Sequence, residues 1–535
     1  MNIFLQIMSV VTLLCSVSLA FVELRRCLMM LQQNSYRNER FMKWIRQSGD
    51  STSTQRLLSI AVVLVGLSIL STPVVSLALI FVISAIGLTG MLTARYKKPL
   101  VMTRRAWRIL MTGTVITVAV IVGCFFAFGG SDGDSLVRAC LVMSLASLAC
   151  YCASLAITML ANRLLKPVEK SINDRYIDDA RRILESMPGL MIVGITGSYG
   201  KTSTKHYLQR ILSEKYDTLM TPGSFNTTMG VVRTVREYLK PYNDVFIVEM
   251  GAKNIGDVKE ICDLVHPRIG IVTAVGPQHL ESFKTIENVQ RAKFELVDSL
   301  PSDGLAVVND DFPYIQTRHV DNVPVSRYAV NTDADYKVTS IDYDAHGTRF
   351  TLRTPLGQEL EFATRLVGEC NVSNLAAAII VALHLEVPLE KIRYAVEHIE
   401  QVEHRLNMKR TAGGVTIIDD AYNSNPVGSA MALDVLARMR GGRRIVVTPG
   451  MIELGERQED ANRELGRKIA TSADLAIVVN VYNRDAIVEG ARDGGMAEEA
   501  VMTAANFAEA QQILSRILKA GDTVLYENDL PDTFK

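Results

Sequence analysis

Residue types able to hold a phosphate group cluster at one point of the chain: Gly197, Ser198, Gly200, Lys201, Thr202 and Ser203. An apolar run at 190–193 leads into them, and Tyr207, Leu208, Ile211 and Leu212 follow at helical spacing. Strand, glycine-rich turn and helix start is the context in which backbone N–H groups and a lysine cradle phosphate oxygens. The common phosphate loop has glycine six residues before the lysine, where this chain has Ile195. The compact pattern Thr-Gly-x-x-Gly-Lys-Thr nevertheless keeps Gly197, Gly200, Lys201 and Thr202. A bare Gly-Lys-Thr would equally suit a surface loop; the flanking periodicities favour phosphate binding.

Further polar residues fall at the ends of apolar runs. Glu249 closes the run 245–248, and a carboxylate at a strand end beside a phosphate loop can hold Mg²⁺. His279 follows the strand-like stretch 268–275, where a crevice is expected. Lys293 lies in the helical stretch 286–300 and, taken alone, reads as a solvated helix lysine. Asn226 lies in a loop, 221–230, that opens a helix. The strand 415–418 ends in Asp419, Asp420, Ala421, Tyr422, Asn423, Ser424, Asn425 and Pro426.

These residues need elements to position them. At 535 residues the chain is too long for one ordinary domain, and its composition changes near residue 160. Beyond that point, alternating strand and helix patterns argue for a mostly parallel central domain. A small antiparallel sheet at 335–363, with turns at His346-Gly347 and Leu356-Gly357, is inserted in it. A smaller α/β domain follows, with strands at 415–418, 444–447, 475–479 and 523–526. Lysine plus arginine equal aspartate plus glutamate at 57 each, which excludes a strongly basic nucleic-acid binder. The eight cysteines show no paired metal-ligand spacing and read as free thiols in a reducing compartment.

Before residue 160 the apolar runs are long. The run 3–22 lacks a basic leader and a small-residue cleavage pattern, so it reads as a retained span. Residues 57–92 carry no charge, and Ser71-Thr72-Pro73 divides them into two short spans; one long tilted helix is the alternative. Spans at 109–128 and 136–160 follow, joined by the acidic turn 131–134, with Arg138 snorkelling to the interface. The basic stretches at 25–56 and 95–108 place both loops, and everything after Asn162, in the cytoplasm of a multi-pass plasma-membrane protein. Residues 1–162 are therefore expected to form an anchor of about five helices, with Arg138 the one charge inside a span. Residues 163–189 form a polar helical linker.

The order of these motifs resembles the Mur ligase family, ATP-dependent amide-forming enzymes of peptidoglycan synthesis, over about residues 190–526. The resemblance rests on Thr196-Gly197-Ser198-Tyr199-Gly200-Lys201-Thr202, Glu249-Met250-Gly251, His279-Leu280 and Ala292-Lys293. Gly368-Glu369-Cys370-Asn371-Val372-Ser373-Asn374 and the Asp419–Pro426 tract complete it. The tracts at 196–203, 226–230 and 419–426 are most similar to the MurF type, which adds D-alanyl-D-alanine to a UDP-muramoyl tripeptide.

The resemblance implies a helical membrane domain followed by two α/β domains, a central phosphate-loop domain at 190–400 and a Rossmann-like domain at 401–535. It implies ATP and two Mg²⁺ ions, with Lys201, His279 and Lys293 catalytic. Gly197, Ser198, Gly200, Lys201, Thr202, Ser203, Asn371, Arg405 and Asp420 would contact the nucleotide. Thr202, Glu249, His279 and a carbamylated Lys293 would serve the metal, and Asn226, Tyr422, Asn423 and Asn425 the substrate. The partners would be a peptidoglycan-precursor-like carboxylate, an amine or dipeptide, and the bilayer.

Three departures stand out. Membrane spans replace the family's UDP-binding domain, so the carboxylate substrate is gripped elsewhere or is lipid-linked. Cys370 stands where the family commonly has histidine. The final strand runs into Glu527-Asn528-Asp529-Leu530-Pro531-Asp532 where the MurF type has Lys-Gly-Ser-Arg. Other readings are a ligase for a poly-γ-glutamate-like envelope polymer, a nucleotide-binding partner without catalysis, and a transporter ATPase. The last has no polar span residues to support it.

Overall fold

The computed structural model describes residues 3–68, 72–94, 96, 98–128, 135–344, 347–421 and 424–529. The acidic turn 131–134, Ser71, Arg95, Lys97, His346, Tyr422, Asn423 and the tail from Leu530 lie outside the described residues. The chain divides into two units, Met1–Asn173 and Asp174–Asp529.

The first unit contains helices α1 (Ile3–Gln33), α2 (Asn38–Ser48), α3 (Thr54–Ser68), α4 (Pro73–Thr93), α5 (Arg104–Phe128) and the first part of α6 (Ser135–Glu185). Among the described residues, α1, α4, α5 and α6 are long and apolar enough to cross a membrane. The run 57–92 does divide, with Pro73 in the first turn of α4, where its missing N–H leaves no bond unmade. Its first half is short, however. The 15 residues of α3 rise about 22 Å, less than the ~30 Å hydrocarbon core. Five expected spans thus become four helices of spanning length plus a short apolar one.

Buried charge is also placed differently from expectation. Arg138 is exposed on α6, whereas Glu23 of α1 and Arg56 of α3 are 1% and 2% exposed. They form an ion pair, and Arg56 also donates to Ser154 Oγ and to the carbonyls of Tyr151 and Cys152 on α6. Arg26 bonds Glu23 at 2.9 Å and Asp50 at 2.5 Å. Every charge in this cluster has an opposite charge, the condition under which buried ions persist. In α2, Phe41, Trp44 and Ile45 are buried while Arg37 at its N-cap, Lys43 and Arg46 are exposed, an amphipathic pattern.

The expected linker 163–189 is mostly a continuation of α6, which runs without a break through Pro167 to Glu185. In the second unit the end of this helix joins, through Ala180, Tyr176 and Ile177, the core that also holds Val231, Val232 and Val235. The first sheet has strands β1 (Met191–Thr196), β2 (Thr218–Met220), β3 (Val245–Glu249), β4 (Ile269–Val272), β5 (Leu305–Asn309), β6 (Val325–Ala329), β7 (Tyr336–Asp344), β8 (Gly347–Arg353) and β9 (Glu359–Thr364). Their order is β2-β3-β1-β4-β5-β6-β7-β8-β9, parallel as far as β7. The strands at 335–363 are antiparallel among themselves as expected, but they extend the central sheet instead of forming their own. Tyr328↔Tyr336 and Ala329↔Lys337 join β7 to β6.

Side chains alternate across β1, Val193 and Ile195 facing one core and Ile192 the other. Helices α7 (Lys201–Leu212) and Glu369–His384 cover the first face, and Thr228–Glu237, Asp257–Val265 and Ile286–Asp298 the second. Burial on both faces explains the continuous apolar runs in the sequence.

The second sheet has strands β10 (Asn407–Arg410), β11 (Thr416–Asp420), β12 (Arg444–Thr448), β13 (Leu475–Val479), β14 (Val501–Ala504) and β15 (Thr523–Glu527). Its order is β10-β11-β15-β12-β13-β14, antiparallel only at β10. In both sheets the chemistry-bearing residues lie at or just beyond the carboxyl ends of parallel strands, where open α/β sheets bind ligands.

Candidate active site

The loop between β1 and α7 is held tightly. Ser198 N donates to Ala274 O at 2.8 Å, Ser198 Oγ donates to Gly276 O at 3.0 Å, and Gly276 N donates back to that hydroxyl at 3.1 Å. Gly197 has φ 149°, and a Cβ there would lie 2.1 Å from Thr273 Oγ1 and 3.0 Å from Ala274 N. Gly200 has φ 78°, and a Cβ would meet Asn374 Oδ1 at 2.3 Å. These two positions therefore require glycine. Lys201 begins α7 and donates to Gly197 O at 2.6 Å and Ser198 O at 3.3 Å. Burial lowers its ammonium to about 8, against the pull of Glu249 and aided by Arg405. Ser203 is buried one turn into the helix.

Glu249 ends β3 at 1% exposure and gathers groups from two segments, α7 and the loop that holds Asn226. Thr202 Oγ1 donates to its Oε1 at 3.2 Å, Asn226 Nδ2 donates to the same oxygen at 3.1 Å, and Lys205 Nζ stands 3.0 Å from Oε2. Burial opposes the charge on Glu249, but Lys205 and Lys201 outweigh it and hold the carboxyl below the usual carboxylate range. The Lys205 ammonium is thus the partner of Oε2. Sequence reasoning missed Lys205. Its helical register is the signal, since it lies four residues after Lys201 and shares the buried face with Leu208 and Leu212.

His279 stands seven residues beyond the end of β4, not directly at it, in a left-handed conformation with φ 52°. Its Nδ1 lies 2.5 Å from Glu453 Oε2, a residue of the second α/β domain, and Lys253 Nζ reaches Glu453 Oε1 at 3.6 Å. Burial lowers the imidazole below its ordinary value despite Glu453. A neutral ring facing a carboxylate through Nδ1 carries its proton there, which leaves the Nε2 lone pair for a metal or a proton. Glu453 also escaped the sequence reading; it follows β12 by five residues, in the region where strand ends carry ligand groups.

Lys293 is 1% exposed, not solvated. Val289, Lys293 and Val297 repeat every four residues on the buried face of their helix. Burial, with Lys201 adding to it, pushes the amine well below the ordinary lysine range.

The expected nucleotide and substrate residues are placed less uniformly. Asn371 is 5% exposed, with its Oδ1 accepting from Tyr207 Oη at 2.7 Å and its Nδ2 donating to Val367 O at 2.9 Å, so both ends of the amide are engaged inside the protein. Asn425 caps the helix Pro426–Ala437 by accepting from Gly428 N at 2.8 Å. Arg405 brings its charge to bear on both Lys201 and Asp420, which connects the second domain to the loop.

Asp420 and Glu527 pair in register at the ends of β11 and β15, so their carboxyls stand side by side. Glu527 Oε1 accepts from Ser424 and Ser429 hydroxyls, each at 2.7 Å. Burial, and the proximity of the two carboxyls, hold the pair well above the ordinary range. This pair therefore binds more protons in the folded chain than in the unfolded one above about pH 4, the usual carboxylate value, and the stability it contributes falls as pH rises toward the folded pKa values. Thermal melts of the solubilised protein should show the second domain losing stability from about pH 5 to pH 8, and Glu527→Gln flattening that decline. An unchanged slope in the variant would refute the paired-carboxyl assignment.

Two α/β domains meeting over a phosphate loop, one contributing the lysine and carboxylate and the other reaching across to the histidine, define an ATP-dependent ligase. Residues 195–382 match the Mur ligase middle domain, and residues 404–526 match the Mur ligase glutamate ligase domain. UDP-N-acetylmuramoyl-tripeptide--D-alanyl-D-alanine ligase of Escherichia coli (strain K12) is 31% identical over 329 residues, which are 61% of this chain and 70% of that protein. The crystal structure of MurF from Acinetobacter baumannii superposes with a TM-score of 0.61 at 27% identity, covering 67% of this chain and 77% of that one. A pseudomurein peptide ligase type C from Methanothermus fervidus shares the fold, with a TM-score of 0.50 at 17% identity over 65% of this chain and 78% of its own. The chain belongs to the Mur ligase family, with membrane-span-like helices in place of the usual UDP-binding domain.

Proposed function

We propose that this chain is a membrane-anchored MurF-like ligase that joins D-alanyl-D-alanine to a muramoyl peptide at the cytoplasmic face. The observation that carries the reading is the set of donors around Glu249 beside Lys201, in a chain whose relatives include D-alanyl-D-alanine ligases. The basic stretches on either side of α3 and α4 support the cytoplasmic placement. That placement requires α3 to cross despite its length, which local bilayer thinning permits.

In the first step a substrate carboxylate oxygen attacks the γ-phosphorus of ATP; the new P–O bond gives an acyl phosphate, and the bond to ADP breaks. In the second step a neutral amine attacks the acyl carbon, the C–N bond forms, phosphate leaves with the C–O electron pair, and the nitrogen gives up its extra proton. Lys201 and the loop amides face the charge that gathers on the phosphoryl oxygens. Closure of the second domain, with Glu453 against His279, keeps water from the acyl phosphate.

The residues present fit Mg²⁺. Glu249 is a buried carboxylate at a strand end with Thr202 Oγ1 beside one oxygen and the Lys205 ammonium beside the other, and Glu453 orients His279 as carboxylates orient metal-ligating histidines. Among the described residues no three His, Cys, Asp or Glu side chains form a metal cluster, so substrate phosphates and water would have to supply the remaining ligands, as is usual for this ion. When bound, Mg²⁺ neutralises charge on the transferring phosphoryl group. Burial that disfavours the charged form of Lys293 favours the free amine, the form that adds CO₂, and supports its carbamylation.

The test is release of ADP and phosphate from the solubilised full chain, with a panel of muramoyl peptides and amines. Release that requires both a muramoyl tripeptide and D-alanyl-D-alanine is expected; release that depends on no peptide or amine would sink the assignment. A second reading, a ligase for another envelope polymer, is favoured by Glu527, Asn528 and Asp529 standing where a basic tract would be. Mass spectrometry of the product separates the two.

A further inference from the structure

The chemistry above uses Lys201 and leaves Lys205 without a task, although burying an ammonium is costly to a fold. Both lysines lie on α7, four residues apart, yet they serve different partners. Lys201 reaches back to the carbonyls of Gly197 and Ser198, whereas Lys205 Nζ stands 3.0 Å from Glu249 Oε2 and donates to Gly223 O. The Lys205 side chain is fully enclosed, at 0% exposure. Gly223 belongs to the loop that meets Glu249 at two further points. Glu249 N donates to Thr221 Oγ1 at 3.1 Å, and Asn226 Nδ2 donates to Glu249 Oε1 at 3.1 Å.

The two oxygens of Glu249 therefore have unlike surroundings. Oε1 faces neutral donors, Thr202 and Asn226, and a hydroxyl can turn its proton away and offer a lone pair to an ion. Oε2 faces an ammonium, which has no lone pair to offer and repels a cation. Without nucleotide, one carboxylate stands against two lysines, and Arg405 adds positive charge at both. A divalent ion entering alone adds to that excess, whereas ATP phosphates reverse its sign. We propose that Lys205 is a positioning residue that takes the place of the divalent ion at Glu249 until nucleotide binds. It holds Oε2, leaves the Oε1 face to the metal, and makes metal loading conditional on the ATP phosphates. The inference rests on the reading of Glu249 as a metal ligand and adds the order of loading to it.

Mn²⁺, a paramagnetic substitute for Mg²⁺, reports loading by electron paramagnetic resonance of the solubilised full chain. Bicarbonate-free buffer keeps Lys293 as the amine. Without nucleotide, Lys205→Met should bind Mn²⁺ at least about tenfold more tightly than the natural protein, the scale on which a neighbouring charge shifts an equilibrium. Thermal melts give a second readout. Mg²⁺ alone should leave the natural melt in place, raise that of Lys205→Met, and do nothing to the double variant Lys205→Met, Glu249→Gln, in which both charges are gone. A merely structural lysine would lower the melt with or without Mg²⁺. Equal Mn²⁺ affinity in the natural protein and Lys205→Met would overturn the proposal, and so would a Lys205→Met chain that stays unfolded at saturating Mg²⁺. With a non-hydrolysable ATP analogue bound, Glu249→Gln should weaken Mn²⁺ binding. If it does not, the metal reading of Glu249 falls together with this proposal; failure at Lys205 alone leaves that reading intact.

Discussion

Lys201→Ala abolishes ATP-dependent turnover, by at least about a hundredfold in kcat/KM, the scale on which removal of a single preorganised charge-stabilising donor is felt. The side chain starts α7 and is tied to the carbonyls of Gly197 and Ser198, so its ammonium is fixed against the loop before any phosphate arrives. Alanine keeps the helix start and removes the charge. The loop itself survives, because Ser198 with Gly276 and the glycines at 197 and 200 hold it independently of the lysine. Steady-state ADP release and a thermal melt, measured together, check this: activity is lost while the melt hardly moves. Full activity in the variant would refute the assigned ATP site.

The second large effect is at Lys293. Methionine matches its volume, carries no amine and suits the buried position, so Lys293→Met folds at least as well as the natural chain. It is nonetheless inactive, because its sulfur cannot become a carbamate. ¹³C-bicarbonate added to the natural protein gives a carbamate carbon signal in the NMR spectrum that the variant lacks. Full activity of Lys293→Met would refute the carbamate role, and absence of the signal from an active natural protein would do the same.

The loop at 196–203 was readable because its chemistry is local: glycines, lysine and threonine act within one strand–turn–helix unit. Glu249 was readable for a related reason, as the last residue of an apolar run. Lys293 and Lys205 show where reading stops at composition but not at periodicity. Both are charged residues on the buried face of a helix, and the spacing of Val289 and Val297, or of Leu208 and Leu212, would have placed them inside. Glu453 was beyond reach, since its partner is 174 residues away and only the closing of two domains makes them neighbours. The antiparallel strands at 335–363 were legible as strands, but their attachment to β6 depends on two backbone pairs that carry no side-chain signal. In the helical unit, α3 was counted as a span from charge-free length alone, and its 15 described residues are fewer than those of the four helices of spanning length. The buried Glu23–Arg56 pair was overlooked because both residues sit just past the edges of the apolar runs.

The contact between His279 and Glu453 has a thermodynamic consequence. It joins residues of two domains, and both backbones adopt left-handed conformations to make it, φ 52° and 63°. Anything that binds only when the domains meet shifts the same equilibrium as this contact, so ATP and the incoming amine strengthen each other's binding by one shared factor.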